Sequence, residues 1–64
     1  MVYFNSSAIA GAHFEPSTGT LSILFTSGRS YDYFSVPEFV YSGLCGAPSK
    51  GSYFNAYIRD QYAA

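Results

Sequence analysis

The segment from Thr20 to Phe34 constrains the fold most strongly, because it predicts two strands joined by a tight turn. Large apolar or aromatic side chains alternate with small or polar ones on both sides of the Ser27-Gly28 dipeptide. The residues that would share one face are Leu21, Ile23, Phe25, Tyr31 and Tyr33. Because successive side chains of a strand point to opposite faces, this pattern predicts a hairpin with one buried face.

The turn decides how the two strands pair. A two-residue loop would place Ile23 opposite Asp32 and would put the tyrosines on the face opposite the aliphatic side chains. A three-residue loop, with Gly28 in the left-handed conformation and a bulge, instead places Ile23 opposite Tyr31. We predict the bulged register, because it gathers the apolar side chains of both strands on one face.

The remaining residues predict one more strand and two helices. The stretch Ala8–Phe14 has a weak strand pattern in which small residues dominate. Ser35 and Glu38 have the spacing of a capping box, at the start of a helix that runs to about Leu44. A second helix begins at about Lys50. We therefore predict an α+β fold of order β-β-β-α-α, in which a three-stranded antiparallel sheet carries two short helices on one face.

The composition indicates a small domain that associates with itself. We expect a single domain over residues 1–64, and a chain of this length is only marginally stable without a covalent staple or a partner. One cysteine excludes an internal disulfide, and one cysteine with one histidine excludes the usual four-ligand zinc site. Aromatic residues make up 20% of the chain and charged residues only 11%, against roughly 25% charged residues in a typical soluble domain. We therefore expect a homo-oligomer that buries the outer face of the sheet, namely Leu24 and Phe34, with Tyr3 and Phe4 beside them.

The few charges limit the partners of the protein. The formal net charge is −1, and the three cations Arg29, Lys50 and Arg59 can neutralise few phosphates, so double-stranded DNA is not an expected partner. The N-terminus has no basic flank and no long apolar run, so it does not resemble a signal peptide. No segment approaches the length of a membrane span, which is about 18 apolar residues. We expect a cytoplasmic protein with no membrane partner, no cofactor and no metal site.

The segment from Ser49 to Tyr62 carries the strongest signal of a binding site. Ser49 is a good N-cap, so the first backbone N–H groups of the helix would face an anion beside the mobile ammonium of Lys50. Asn55 and Arg59, four residues apart, share another side of the helix. The candidate phosphate-binding residues are therefore Ser49, Lys50, Gly51, Asn55 and Arg59, with Tyr53 or Tyr62 as a stacking surface.

The same segment also has a purely structural interpretation. Asn55 and Arg59 would then hold the terminal helix against the sheet, with Arg59 paired to Asp32 or stacked on a tyrosine. In that case Arg59→Ala would lower the melting temperature and Lys50→Ala would change it little. The tyrosines that we expect in the core are Tyr31, Tyr33 and Tyr57.

No pattern in the chain indicates catalysis. Cys45 and His13 do not have a spacing that marks a thiol nucleophile and its base. The stretch from Gly46 to Ser52 lacks the residue order of a nucleotide-hydrolysing phosphate loop. The four acidic residues show no paired spacing. We therefore expect a non-catalytic protein.

Several motifs together resemble the KTSC domain family over nearly the whole chain. They are Tyr31-x-Tyr33-Phe34, Val36-Pro37, Tyr41-x-x-Leu44, Ala47, Ser49-Lys50-Gly51, Tyr53-Phe54-Asn55, Ile58-Arg59 and Tyr62. The family takes its name from the C-terminus of certain lysyl-transfer-RNA synthetases and includes free-standing small proteins of bacteria and phages. The resemblance implies a fold and a candidate site at the terminal helix.

Three functional hypotheses remain open. The first is an oligomer that binds a phosphate-bearing, nucleotide-like small ligand; a phage-encoded example would sequester a nucleotide signal of host defence. The second, suggested by the synthetase-linked relatives, is an accessory module that binds single-stranded RNA. The third is a protein-interaction module that uses Leu24 and Phe34. The low number of cations favours the small ligand over RNA, because one diphosphate needs only two or three positive groups.

Overall fold

Four antiparallel strands form one sheet, and two helices pack against one of its faces. The computed structural model describes residues 1–63, in the order β1 (Val2–Tyr3), β2 (Ile9–Glu15), β3 (Thr20–Phe25), β4 (Ser30–Tyr33), α1 (Glu38–Gly46) and α2 (Lys50–Tyr57). The strands are neighbours in chain order, so β1 and β4 are the two edges of the sheet. The α+β class with two helices is confirmed, whereas the prediction of three strands is wrong.

The strand that the sequence did not predict is β1. It has only two residues, both exposed, and therefore leaves no alternating pattern. Val2 pairs with Ala12 and Tyr3 pairs with Gly11. A β-carbon on Gly11 would lie 2.8 Å from the carbonyl oxygen of Val2, so the glycine is what allows β1 to approach β2 this closely.

The predicted hairpin register is confirmed. Ile23 lies opposite Tyr31, and the loop closes with hydrogen bonds from the Phe25 N–H to the Arg29 carbonyl oxygen (2.8 Å) and from the Gly28 N–H to the Phe25 carbonyl oxygen (2.9 Å). Gly28 has a φ of +94°. The bulged turn therefore sets which face of both strands meets the helices.

Replacing Gly28 with alanine should cost about 1–2 kcal/mol of the free energy of unfolding, because a side chain disfavours the left-handed region. No atom lies within 4 Å of the added β-carbon, so the cost is conformational and not steric. Gly46→Ala is the matched control, because its β-carbon also enters open space without a positive φ. Urea denaturation of both variants measures the difference, and equal stabilities would contradict the conformational explanation.

The core lies between the inner face of the sheet and the two helices. Its fully buried side chains include Ile9, Leu21, Ile23, Leu44 and Ile58. Tyr33 is buried, as predicted, and its ring makes an edge contact with Phe54 of α2. Tyr31 shares this face but is 42% exposed, so its predicted burial is wrong: it lies on the edge strand, where its ring makes an edge contact with Phe25.

The first helix begins later than the sequence predicts. Glu38 is its first residue, and Pro37 is the N-cap without any side-chain cap, so the predicted capping box is wrong. Ser35 instead adopts a left-handed φ of 58°, and the next N–H, that of Val36, donates to the Gly19 carbonyl oxygen at 2.9 Å. This tie to the β2–β3 turn holds Ser35 in a conformation that a helix N-cap does not have.

The second helix begins where the sequence predicts, but it ends before Arg59, which the sequence pattern places on it. Ser49 is its N-cap and accepts a hydrogen bond from the Ser52 N–H. The helix stops at Tyr57, the Arg59 N–H donates back to the Phe54 carbonyl oxygen at 2.8 Å, and Asp60 has a φ of 62°. Tyr57 is 58% exposed, so its predicted place in the core is wrong.

The face of the sheet opposite the helices carries the predicted outer residues. Leu24 is half-buried and Phe34 is exposed. Tyr3 also belongs to this face, because it pairs with Gly11, which pairs in turn with Leu24. Phe4 does not belong to it, because its ring packs against the core and contacts Lys50. Successive side chains of an extended segment point to opposite faces, so the neighbouring residues Tyr3 and Phe4 lie on opposite sides of the sheet.

Candidate functional site

A groove separates the segment after β1 from the start of α2. It has a volume of about 480 Å³, and its lining residues are Tyr3, Phe4, Asn5, Ser6, Ser7, Ala8, Pro48, Ser49, Lys50 and Gly51. We call it the N-terminal groove. Of the predicted phosphate-binding residues, it brings together Ser49, Lys50 and Gly51.

Lys50 is anchored, in contrast to the mobile ammonium that the sequence suggests. Its Nζ donates to the carbonyl oxygens of Cys45 (2.9 Å) and Ala47 (2.7 Å), at the C-terminal end of α1. The same nitrogen lies 4.9 Å from the centre of the Phe4 ring. A lysine ammonium has three N–H donors, so one remains for an acceptor in the groove. Because the negative end of a helix dipole favours a cation, α1 holds this charge in position.

The start of α2 supplies backbone donors to the same groove. The Ser49 hydroxyl is occupied, since it accepts from the Ser52 N–H (3.3 Å) and donates to the Ser52 hydroxyl (3.0 Å). The first N–H groups of a helix have no intrahelical partner, so those of Lys50 and Gly51 can meet an external acceptor. A β-carbon on Gly51 would lie only 3.2 Å from the Ala8 β-carbon, which shows how closely the two walls of the groove approach each other.

The opposite wall of the N-terminal groove is held by hydrogen bonds to the rest of the fold. The Ser6 hydroxyl accepts from the N–H groups of Ala8 (3.2 Å) and Ile9 (3.3 Å). The Thr26 N–H and hydroxyl donate to the carbonyl oxygens of Ala8 and Ser7, each at 3.1 Å. Asn5 and Ser7 are exposed on this wall. Sequence reasoning missed the whole wall, because the pairing of β1 with β2 and the hydrogen bonds from Thr26, which no local pattern predicts, position it opposite α2.

Arg59 lies in a different groove from Lys50. Lys50 is the first residue of α2, and Arg59 follows its last residue, Tyr57. The helix alone separates Lys50 from Tyr57 by about 10 Å. Arg59 lines a groove of about 580 Å³ together with Phe25, Tyr31, Tyr33, Phe54, Asp60 and Tyr62. Asn55 is exposed on α2 and belongs to the lining of neither groove. One copy of the chain therefore does not bring Arg59 and Lys50 to the same ligand.

The predicted pairing of Arg59 with Asp32 is also absent. Asp32 alternates with Tyr31 and Tyr33 and so points to the outer face, where its carboxylate accepts a hydrogen bond from the Ser22 hydroxyl at 2.7 Å. Arg59 lies on the inner side of the same sheet edge. Its guanidinium is exposed beside Tyr33.

Two tyrosines near these grooves have raised pKa values. Burial raises the pKa of Tyr53, and the neighbouring Tyr57 and Tyr62 add to the effect. Its hydroxyl therefore stays protonated and donates to the Val40 carbonyl oxygen at 3.0 Å, which ties α2 to α1. Burial also raises the pKa of Tyr33, which keeps this hydroxyl neutral beside Arg59. Tyr53, one of the two candidate stacking residues, thus has a structural contact, and Tyr62 packs against the core.

The structure does not bring the other reactive side chains together. His13 is exposed on the outer face of β2, while Cys45 lies on α1, across the sheet. Residues 1–63 hold no cluster of three or more histidine, cysteine, aspartate or glutamate side chains that fits a metal ion. No helix in the same range has the length and apolar character needed to cross a membrane.

Comparison with known proteins places this fold in one family. The KTSC domain matches residues 5–62. A lysine–tRNA ligase of Nostoc sp. is 46% identical over 56 residues, which are 88% of this chain but only 10% of the ligase. A small protein of Tsukamurella paurometabola is 36% identical over 92% of this chain and 88% of its own length. The crystal structure of a KTSC domain protein from Yersinia pestis is 30% identical, with a TM-score of 0.92 over 95% of this chain and 86% of that one. The chain spans about a tenth of the ligases and nearly all of the small relatives, and it belongs to the KTSC domain family.

Proposed function

We propose that this domain is a non-catalytic binding module that holds the phosphate end of a nucleotide-like ligand in the N-terminal groove. The observation that carries the proposal is that the anchored Lys50 ammonium and the start of α2, with its unpaired N–H groups, line the same groove. Ammonium and helix N–H groups are the donors that phosphate prefers. A volume of about 480 Å³ is also within the usual range of small-molecule sites.

The groove suits a small ligand better than a long polyanion. Lys50 is the one cation in its lining, and the chain as a whole has a net charge of −1. Binding along a nucleic acid backbone normally engages several cations, whereas one phosphate group can be held by one ammonium and two backbone N–H groups.

The test of this proposal uses ADP and inorganic pyrophosphate as probes in an NMR titration. We expect the amide signals of Lys50 and Gly51 to shift and saturate. Ser7→Asp places a carboxylate on the opposite wall and should weaken binding about tenfold, since it repels the phosphate and leaves the contacts of Lys50 intact. Ser42→Asp changes the net charge equally on the exposed side of α1 and should not alter binding. Equal affinities of the two variants would contradict a phosphate site in this groove.

The similarity to lysine–tRNA ligases supports a second candidate, an RNA-binding accessory module. Such a module would bind single-stranded RNA through exposed aromatic rings and a few cations. Its affinity should rise with oligonucleotide length and fall steeply with salt, whereas a nucleotide site saturates with one small molecule. Binding of hexauridylate without binding of ADP or pyrophosphate would therefore favour the RNA module over the nucleotide site.

We also propose that the domain forms a homo-oligomer through the outer face of the sheet. Within residues 1–63 no helix or strand covers this face, and it carries Leu24, Phe34 and Tyr3. Large apolar side chains on an uncovered face are typical of interfaces. A phage-encoded oligomer with one groove per copy would be suited to sequester a nucleotide signal of host defence.

Leu24→Asp should shift the protein toward the monomer, because it would bury a carboxylate in the proposed interface. Phe39→Asp is the matched control, since it places the same charge at an exposed aromatic position on α1, away from the outer face. Sedimentation velocity of the two variants and the parent protein measures the effect. A monomeric parent at micromolar concentration would contradict the proposed assembly.

A further inference from the structure

The second site that the structure offers begins at the free edge of β4. Tyr31 and Tyr33 pair with Ile23 and Leu21 of β3. The Phe25 N–H donates to Arg29 at the loop end of the same ladder. In an antiparallel ladder, hydrogen-bonded and non-hydrogen-bonded pairs alternate. The N–H and C=O groups of Ser30 and Asp32 therefore point away from β3.

The chain itself already uses this edge for one added hydrogen bond. The Phe34 N–H, next in the alternation, also points away from β3 and donates to the Ala63 carbonyl oxygen at 3.0 Å. The backbone at the end of β4 therefore pairs with a segment outside the sheet. The positions of Ser30 and Asp32 extend the same row of backbone donors and acceptors toward the hairpin turn.

Aromatic side chains line the inner side of the same edge. The groove of about 580 Å³ that contains Arg59 adjoins a smaller one of about 310 Å³ that contains Arg29, and both share Phe25 and Tyr31. We call the combined surface the β4 groove. Phe25 packs edge-on against Tyr31 (5.8 Å) and Phe54 (5.2 Å). Because α2 does not cover Tyr31, a face of its ring is open to a ligand.

The charges of the β4 groove are mainly positive. Arg29 lines one part of it and Arg59 lines the other, and both are exposed. Among residues 1–63, Asp60 is the single carboxylate in the lining. Asp32 points to the outer face and is bonded to Ser22. A ligand with acidic groups on both sides of an apolar centre would therefore match the groove.

We propose that the edge of β4 and the β4 groove bind an extended acidic peptide segment of a partner protein, which joins the sheet as a fifth strand. One side chain of the peptide, apolar or aromatic, enters the groove and packs against Tyr31 and Phe25. Acidic side chains two residues to either side lie on the same face and reach toward Arg29 and Arg59. This site adjoins the N-terminal groove at Ala8, which lines both, but the two share no charged residue, so the peptide proposal does not depend on the function of the N-terminal groove.

The row of backbone groups favours a peptide over a nucleic acid. Ser30 and Asp32 present N–H donors and C=O acceptors in alternation along the edge. An extended peptide offers the matching acceptors and donors at the same spacing. A phosphodiester backbone offers only acceptors, so it would leave the strand carbonyls unpaired.

The test uses a blocked heptapeptide with phenylalanine at the fourth position, glutamate at the second and sixth, and threonine elsewhere. We expect the amide signals of Ser30 and Asp32 to shift in an NMR titration and to become protected from hydrogen exchange. N-methylation of the peptide amides that face β4 should abolish both effects, because it removes the donors of the added strand. Unchanged binding of the methylated peptide would overturn strand addition.

A charge reversal tests the two arginines. The double variant with Arg29→Glu and Arg59→Glu should bind the glutamate peptide at least about tenfold more weakly. It should bind the corresponding lysine peptide better than the parent protein does. Phe39→Ser, on the exposed side of α1, is the control and should leave peptide binding unchanged. A double variant that binds both peptides as the parent does would overturn the role of the charges.

Three other results would overturn the proposal as a whole. The first is the absence of any shift at Ser30 and Asp32 with millimolar peptide. The second is hexauridylate binding to the β4 groove in place of the peptide, which would assign the groove to RNA. The third is a shift of the same two amides with protein concentration in the Leu24→Asp variant, whose outer face no longer associates, because it would assign the edge to a second copy of the chain.

Discussion

Replacing Gly43 with alanine is expected to destabilise the domain by about 2–3 kcal/mol, although alanine normally favours a helix. Gly43 lies in α1, and its missing side chain leaves room for the ring of Tyr53 from α2. An added β-carbon would collide with the Tyr53 hydroxyl and would lie 2.7 Å from Cζ and 3.0 Å from Cε2 of the ring. The ring would have to leave, and with it the hydrogen bond from its hydroxyl to the Val40 carbonyl oxygen would be lost.

Two matched changes identify the cause of this loss. Gly46→Ala, three residues further along α1, meets no atom within 4 Å and should be neutral or stabilising by up to about 1 kcal/mol. In a Tyr53→Ala background the Gly43→Ala change should no longer be costly, because the ring that it displaces is absent. Urea denaturation of the full double-mutant cycle measures the coupling. The same cost in both backgrounds would show that the contact with Tyr53 is not responsible.

Lys50→Met is expected to lower the stability of the domain and its affinity for phosphate ligands together. The change removes two charge-assisted hydrogen bonds to the carbonyl groups of Cys45 and Ala47, and with them about 1–2 kcal/mol at this partly exposed position. It also removes the single ammonium of the N-terminal groove, so ADP or pyrophosphate should bind at least about tenfold more weakly. Thermal unfolding and the NMR titration measure the two effects separately.

Arg59→Met is the matched control for Lys50→Met, because it also removes one cation but from the other groove. Its guanidinium is exposed in the other groove, so neither the stability nor the binding of pyrophosphate should change appreciably. This pattern is the reverse of the one that a purely structural role of Arg59 would give. Loss of stability in Arg59→Met with no loss in Lys50→Met would contradict the contacts described for both residues.

The two proposed sites use opposite edges of the sheet and need not exclude each other. The N-terminal groove lies beside β1, and the β4 groove extends from the other edge strand to Ala8, where the two grooves adjoin. A module of this kind could hold a small anion at one end and a peptide at the other. Titration of one probe in the presence of the other would reveal any coupling between the sites.

The sequence by itself determined the parts of this protein that depend on local patterns. Period-two alternation and Gly28 gave the register of the β3–β4 hairpin, because a shift by one residue would turn every apolar side chain to the wrong face. Ser49 gave the start of α2, because an N-cap acts within three residues of the chain. The motifs of the second half indicated the KTSC family.

Only the tertiary structure decided how the candidate site is assembled. The two-residue strand β1 leaves no sequence pattern, yet its pairing with Gly11 and Ala12 brings a whole wall to the N-terminal groove. Lys50 and Arg59 look equivalent in the sequence, because both are cations on one segment. In the structure, the carbonyl groups of Cys45 and Ala47 at the end of α1 anchor Lys50, whereas α2 ends before Arg59 and leaves it exposed. Which cation a ligand can meet depends on contacts between residues that are distant in the chain, and local patterns do not specify such contacts.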